Sequence, residues 1–382
     1  MSTVVSSLLS RFHATRSVAS NRTNVLRIPV AVFLLATLTG VSMAQSGTKG
    51  VAAGKSADEE WLTLKTLANP SQRSRPAVND AVAAEATRRN VIASLRSDAD
   101  KLKDFQSKHA THREAKEAKR LEALLLVQAW QIGDAVSDAR RNQLVSEIRG
   151  DPSIPEAKRA EVAALADHVG VEKRPGLSGP AKLLAYEQII RGLNVEFPTM
   201  PNGYEALVQV AKHSDDSKAR ALAREVAAMP AAPKAVRDEA DALARRYDLI
   251  GKSLPEIAFP VLGPGNVAER AQRKPVIVYS WATFARGSIA LAKDIAANAP
   301  PGIAIIGVNL DTRDLAPARQ LATSEKLPGD QVYDWMGRKG DLAQRIFLLD
   351  PGVAYLVGRD GIIRSVSAHH DLKAALASVR SL

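Results

Sequence analysis

The stretch Lys274-Pro-Val-Ile-Val-Tyr-Ser-Trp-Ala-Thr-Phe-Ala-Arg-Gly-Ser288 runs directly into Ile289-Ala-Leu-Ala-Lys-Asp-Ile-Ala296. Its first half is a short apolar run rich in β-branched and aromatic residues, which has the length and texture of a buried strand. Its second half repeats apolar residues at helical spacing, so the whole reads as strand, tight loop and helix. Ile303-Ala-Ile-Ile-Gly-Val-Asn-Leu-Asp311 supplies a second unbroken apolar run, the pattern of a parallel strand covered on both faces. Leu315 to Leu327 then reads as a crossing helix, and Gly340-Asp341 begins another. Ala354 to Val366 reads as a hairpin turning at Arg359-Asp360-Gly361, because Asp-Gly between apolar runs favours a tight turn. Alternating strands and helices predict an α/β domain over residues 249–382.

The same stretch resembles the active-site frame of the thioredoxin-like superfamily, in its TlpA, redoxin and AhpC/TSA-like branches. There the corresponding residues read Trp-Ala-x-Trp-Cys-x-x-Cys. Trp281, Ala282 and Thr283 match, Phe284 stands in for the second Trp, Ala285 for the attacking Cys and Ser288 for the resolving Cys. Gly251-Lys-Ser-Leu-Pro-Glu-Ile-Ala-Phe-Pro260 is similar to the strand that opens such domains, and the run ending at Asp311 to their second strand. Family members also place a cis-proline before the hairpin strand, facing the Cys pair. That slot falls here at Gly352, or at Val353 on the shorter spacing, while the nearby proline is Pro351. The resemblance implies a three-layer α/β/α thioredoxin-like domain over about the last third of the chain.

The activity of that family is thiol-disulfide exchange or peroxide reduction. It requires a thiolate whose pKa is lowered at a helix N-terminus and a second thiol to resolve the mixed disulfide. This chain has no cysteine at all. Ala285 carries no nucleophile, and the Ser288 hydroxyl is too weak an acid to replace a thiol without an adjacent base. The expectation is therefore a pseudoenzyme, with Ala285 and Ser288 marking degenerate catalytic positions and no cofactor.

The N-terminus predicts export. Arg11, Arg16, Arg22 and Arg27, with no acid among them, precede an apolar run from Ile28 to Val41 and the small residues Ser42-Met-Ala44. That is the layout of a cleavable signal peptide over residues 1–44. The apolar run falls short of the roughly 20 residues that a spanning helix needs, so no transmembrane span is expected in the mature chain. Retention as an anchor is the competing reading. Residues 45–57 are rich in Gly, Ser, Ala and Lys and read as a flexible linker. The absence of cysteine excludes lipidation at a mature N-terminal Cys, and also any disulfide. The expected location is periplasmic or extracellular.

Residues 58–248 are helical throughout in pattern, with breaks at Asn69-Pro70, Gly150-Asp-Pro152, Arg174-Pro-Gly176, Pro198 to Pro201 and Pro230 to Pro233. Leu121-Glu-Ala-Leu-Leu-Leu-Val-Gln-Ala-Trp130, Ala181 to Leu193 and Tyr204 to Val210 place apolar residues at helical spacing. Asp104 to Leu121 resembles the texture of tetratricopeptide-like helical hairpins, but no dependable 34-residue period is present. The predicted class is thus α + α/β, an irregular all-α helical array followed by the thioredoxin-like domain. Such arrays either offer a groove to a peptide or serve as scaffold.

The formal net charge is +11, of which four charges belong to the signal-like segment. Elsewhere basic and acidic residues interleave, as in Glu114-Ala-Lys-Glu-Ala-Lys-Arg120, which favours pairs on helix surfaces over a phosphate-binding stripe. With aromatic residues at 4%, there is little to stack on bases, and nucleic-acid binding is not expected. A weak attraction to an anionic envelope surface stays open. His109 and His112 lack a third ligand of matching spacing and read as a solvent-facing pair, so no metal is expected. His369 and His370 are adjacent, hence divergent, at the start of a last helix capped by Asp371. Gly263-Pro-Gly265 lacks the Lys-Ser/Thr of a phosphate loop and reads as a turn.

These observations predict non-catalytic binding of a protein or peptide in the cell envelope. The groove expected to hold it is lined by Trp281, Thr283, Phe284, Arg286, Gly352 and Val353. Two alternatives stand beside this reading. In one the chain is an accessory subunit of a thiol-disulfide redox system; in the other the helical array binds and the thioredoxin-like domain is purely structural.

Overall fold

A computed structural model of the chain describes residues 56–67, 81–254, 274–312, 314–333 and 335–378. The signal-like segment, nearly all of the linker, the opening-strand positions 255–260 and Gly263-Pro-Gly265 lie outside the described residues. The chain divides between Leu207 and Val208 into two compact units.

The first unit is all helical. It comprises α1 (Ala57–Leu67), α2 (Ala81–Lys108), α3 (Ala115–Gln131), α4 (Asp138–Gly150), α5 (Glu156–Lys173) and α6 (Gly179–Glu196), and α7 (Pro201–Lys212) crosses into the second unit. In α2 a single stripe, Leu95, Ala99, Leu102 and Phe105, is buried, as a helix with one covered face requires. In α3, by contrast, Ala123, Leu124, Leu125, Leu126, Val127 and Ala129 are all buried. This helix is packed by α2, α4 and α5 on different sides, so its apolar residues encircle it. Trp61 of α1 closes the core against Phe105, with ring centroids 5.6 Å apart.

His109 and His112 do not face solvent as a free pair. Both rings pack on Phe105, and their Nε2 atoms lie 3.1 Å from Glu60 Oε2 and 3.2 Å from Asp58 Oδ1. Each histidine thus meets a carboxylate of α1, whose acidic first turn sequence reasoning did not connect to them.

The second unit holds α8 (Asp216–Ala228) and α9 (Lys234–Tyr247), followed by the strands and helices of the α/β domain. Asp215 caps α8 by accepting from the Lys218 N–H at 3.0 Å. Next come β1 (Val276–Trp281), α10 (Arg286–Asn298), β2 (Ala304–Asn309), α11 (Ala316–Ser324), β3 (Asp330–Tyr333), α12 (Asp341–Arg345), β4 (Ala354–Val357), β5 (Ile363–Ser365) and α13 (Leu372–Ser378). The sheet order is β3-β2-β1-β4-β5, with β1, β2 and β3 parallel and β4 and β5 antiparallel to their neighbours. Two parallel βα units followed by an antiparallel hairpin and a last helix are the layout of a thioredoxin-like domain.

Every residue of the central strand β1 is buried. Ile277, Tyr279 and Trp281, at alternate positions, share a core with Ala292 and Ile295 of α10, Ala318 and Ala322 of α11 and Leu376 of α13. The hairpin turns where the Asp-Gly pair predicts it. Gly361 has φ +77°, Gly358 N–H donates to Ile362 O at 2.9 Å, and Asp360 Oδ1 accepts from Ile362 N–H at 3.1 Å. The described start of the opening segment, Gly251 to Leu254, runs along the outer edge of β5. Its hydrogen bonds are Gly251 N–H to Ile363 O at 2.9 Å and Leu254 N–H to Gly361 O at 2.8 Å.

Candidate functional site

Strand β1 ends at Trp281, and the chain turns through Ala282-Thr283-Phe284 into α10, for which Ala285 is the N-cap. Ser288 is the third residue of that helix. The two degenerate positions therefore stand at the N-terminus of a helix following the central strand, where backbone N–H groups and the helix dipole would lower a thiol's pKa if one were present. Ala285 supplies no side-chain cap. Ser288 is 2% exposed, accepts from Ala282 N–H at 3.2 Å and donates to Ala285 O at 2.6 Å. Its hydroxyl is engaged by backbone on both sides and has no base beside it, so it tightens the turn and does no nucleophilic chemistry.

Gly352 lies across from Ser288. A Cβ on Gly352 would stand 3.8 Å from both Cα and Cβ of Ser288. Its φ of +89° lies in the region that glycine tolerates and side chains resist. The slot opposite the motif therefore belongs to Gly352, and no peptide bond among the described residues is cis, that of Pro351 included. Ser280 fixes this loop to the sheet. Its carbonyl accepts from Gly352 N–H at 2.9 Å, and its Oγ accepts from Val353 N–H at 3.1 Å and donates to Asp350 O at 2.6 Å.

A carboxylate holds the other side of the loop. Asp311, just past β2, accepts from Thr283 N–H at 3.0 Å, from Thr283 Oγ1 at 2.8 Å and from Asn309 Nδ2 at 2.7 Å. Gly337 packs against the same place, since a Cβ there would come within 2.8 Å of Leu310 O and 3.3 Å of Asp311 O. Next to it Met336 bridges to Thr312. The loops at 282–285 and 335–337 thus meet around Asp311, at the C-terminal ends of β1 and β2, the edge where open α/β sheets present their binding residues.

The expected groove residues divide. Phe284 is 65% exposed, Arg286 is exposed, and Thr283 and Gly352 are half-buried. Trp281 and Val353 are corrections. Trp281 has no exposed surface and packs edge-on against Tyr333 at 6.1 Å, and Val353 is buried as well. Trp281 is the last residue of a strand covered on both faces, so its ring belongs to the core and not to a groove. Sequence reasoning missed Trp335, 65% exposed, and Met336, 38% exposed, on the loop that reaches Thr312. The available signal was a Trp-Met pair in a loop between elements, where burial does not demand apolar residues.

Asp350, beside Gly352, was also missed. It faces Lys212 at 3.4 Å, Arg338 at 3.9 Å and Arg246 at 4.0 Å. Burial pushes its carboxyl pKa up, but the three cations outweigh burial and hold it below the usual carboxylate value. Among the described residues, no cluster of three or more His, Asp or Glu has the arrangement of a metal site.

Over about a third of its length the chain is similar to solved structures. One is a thiol-disulfide oxidoreductase from Bacteroides fragilis, at 22% identity and TM-score 0.27, matching 30% of this chain and 90% of its own. Another is a secreted disulfide oxidoreductase from Mycobacterium tuberculosis, at 16% identity and TM-score 0.26, matching 32% of this chain and 96% of its own. A thioredoxin-like protein from Parabacteroides distasonis has 17% identity and TM-score 0.25, with 33% of this chain and 96% of its own matched. No protein-family profile and no curated protein matches the chain.

Proposed function

We propose that this chain is a redox-silent thioredoxin-fold protein, exported to the cell envelope, that holds a segment of a protein or peptide without chemically changing it. The observation that carries this reading is the exposure of Phe284, Trp335 and Met336 on loops that converge at Asp311. Large apolar side chains left in solvent at the ligand edge of an α/β sheet are the mark of a binding surface. The loops beneath them are anchored by Ser280 and Asp311, so the surface is pre-organised and its ordering cost on binding is small.

The test compares the wild type with Ala285→Cys/Ser288→Cys in an insulin-disulfide reduction assay and in pull-downs from envelope extract. The expected result is an inert wild type, and a variant that reduces insulin and traps mixed disulfides with the proteins the surface holds. Phe284→Ala/Trp335→Ala should remove that trapping. A double-cysteine variant that forms the disulfide yet traps nothing would overturn the reading.

A second reading, binding by the helical unit, is favoured by an open groove of about 560 Å³ lined by Trp130, Arg141, Val145, Arg149 and Arg174. Capture that survives Phe284→Ala/Trp335→Ala and is lost in Arg174→Glu would select it.

A further inference from the structure

The charges around the exposed apolar side chains say what kind of segment the surface takes. Resting on the reading above, we propose that its occupant is an extended peptide segment in which acidic residues stand beside apolar ones. Three loops form the surface: the turn at 282–286, the loop at 335–340 and the loop at 350–352. The first two meet at Asp311, through Thr283 and Gly337. The third packs through Gly352 on Ser288 of α10, whose hydroxyl bonds Ala282 and Ala285 of the first, and it meets the second through Arg338 against Asp350.

On these loops the charged residues classed as exposed are Arg286, Arg338 and Lys339, all basic, while the one acid, Asp350, keeps 38% of its side chain exposed. Arg286 and Lys339 have no carboxylate partner among the described residues. Among the described residues Arg338 reaches one carboxylate, that of Asp350 at 3.9 Å, and it remains 57% exposed. The acids on the same surface are already occupied. The Asp311 oxygens accept from Thr283 and Asn309. Asp350 is shared among Arg338, Lys212 and Arg246, of which Arg246 is almost fully buried. Among the described residues of these loops three basic side chains stand against one acidic, Asp350, on the same loops that carry Phe284, Trp335 and Met336. A segment that lays apolar side chains on these rings brings its neighbouring residues to Arg286 and Lys339. Glutamate or aspartate there gains attraction, whereas lysine or arginine meets like charge and is rejected. In an extended chain successive side chains point in opposite directions, so acidic and apolar residues that flank or alternate with one another fit both features.

The experiment screens a surface-displayed library of random peptides against the full chain, with Arg286→Glu/Lys339→Glu and Phe284→Ala/Trp335→Ala as variants. Thermal unfolding first establishes that both variants keep the wild-type midpoint, as substitutions of exposed side chains should. The wild type should enrich Asp and Glu next to aromatic and aliphatic residues, with at least tenfold weaker binding when Lys replaces the acid and with affinity falling as salt rises. The charge-reversed variant should lose or invert that preference while still binding apolar segments. The apolar variant should lose binding for peptides of every charge. Peptides bound through Phe284 and Trp335 with no charge preference would overturn this inference and leave the binding function standing. No peptide enriched over background by the wild type would overturn both.

Discussion

Ser280 shows how much one side chain can position. It lies in the fully buried central strand, and its hydroxyl is the acceptor for Val353 N–H and a donor to Asp350 O. Ser280→Ala leaves the buried Val353 N–H without that partner, which costs about 1–3 kcal/mol. The expected outcome is a urea midpoint lowered with the slope unchanged. In the Ala285→Cys/Ser288→Cys background it should also slow insulin reduction, because the loop opposite the restored thiols loses its anchor. None of this is visible in the sequence Val-Ile-Val-Tyr-Ser-Trp, where Ser280 reads as a mild interruption of an apolar strand. Its partners come from a loop some seventy positions later in the chain. Trp281 gives a second lesson: the sequence offers it as a groove residue, and its burial follows from helices packing on that face of the sheet.

At the level of elements, the turn between β5 and α13 carries a histidine cluster. His369 and His370 do not diverge as helical neighbours would, because they lie in the turn before α13. Their rings are 4.2 Å apart, and His370 stacks on His213, after α7, at 6.1 Å and 8°. Asp371 caps α13 as its sequence position predicts, accepting from Ala374 N–H at 3.0 Å. His370 is held down to about 4 by burial first, then by His213 and Arg246. His369 lies well below its ordinary value through burial, then His370 and Arg246. Both groups bind protons more weakly folded than unfolded. The stability they permit is therefore whole above about pH 6.5, the unfolded value. It is lost as pH falls toward about 4. The shifted carboxylates act lower: Asp134, pulled down to about 2 chiefly by its hydrogen bond to Arg96, loses its contribution only as pH falls from the ordinary carboxylate value through about 2. His370→Gln should flatten the fall of the urea midpoint between pH 6.5 and 4.5 and leave the steeper loss below pH 4 in place. An unchanged profile would show that the cluster does not control stability in that window.

On the scale of the whole molecule, the two compact units have separate cores, one gathered around α3 and the other around β1. Leu126 is almost fully buried in the first. Leu126→Ala removes buried methyl groups and leaves a cavity, which costs about 2–5 kcal/mol. Calorimetry should resolve two unfolding transitions, with Leu126→Ala lowering the midpoint of one and leaving the other in place. A single transition shifted as a whole would show that the units unfold together.

The sequence by itself determined the chemistry that is missing and the fold that carries the gap. A chain without cysteine has no thiolate to exchange, whatever its shape. The continuous apolar runs of β1 and β2, the period-3.6 patterning of α10 and the Asp-Gly turn are local, so they can be read without knowing what packs where. Tertiary structure decided which residues of the degenerate motif remain in reach. It buried Trp281 and Val353, put Gly352 against Ser288, and brought the loop that carries Phe284 and the loop that carries Trp335 and Met336 together at Asp311. The physical reason is that exposure and charge complementarity belong to surfaces assembled from loops far apart in the chain, and no spacing along the sequence encodes which loops will meet.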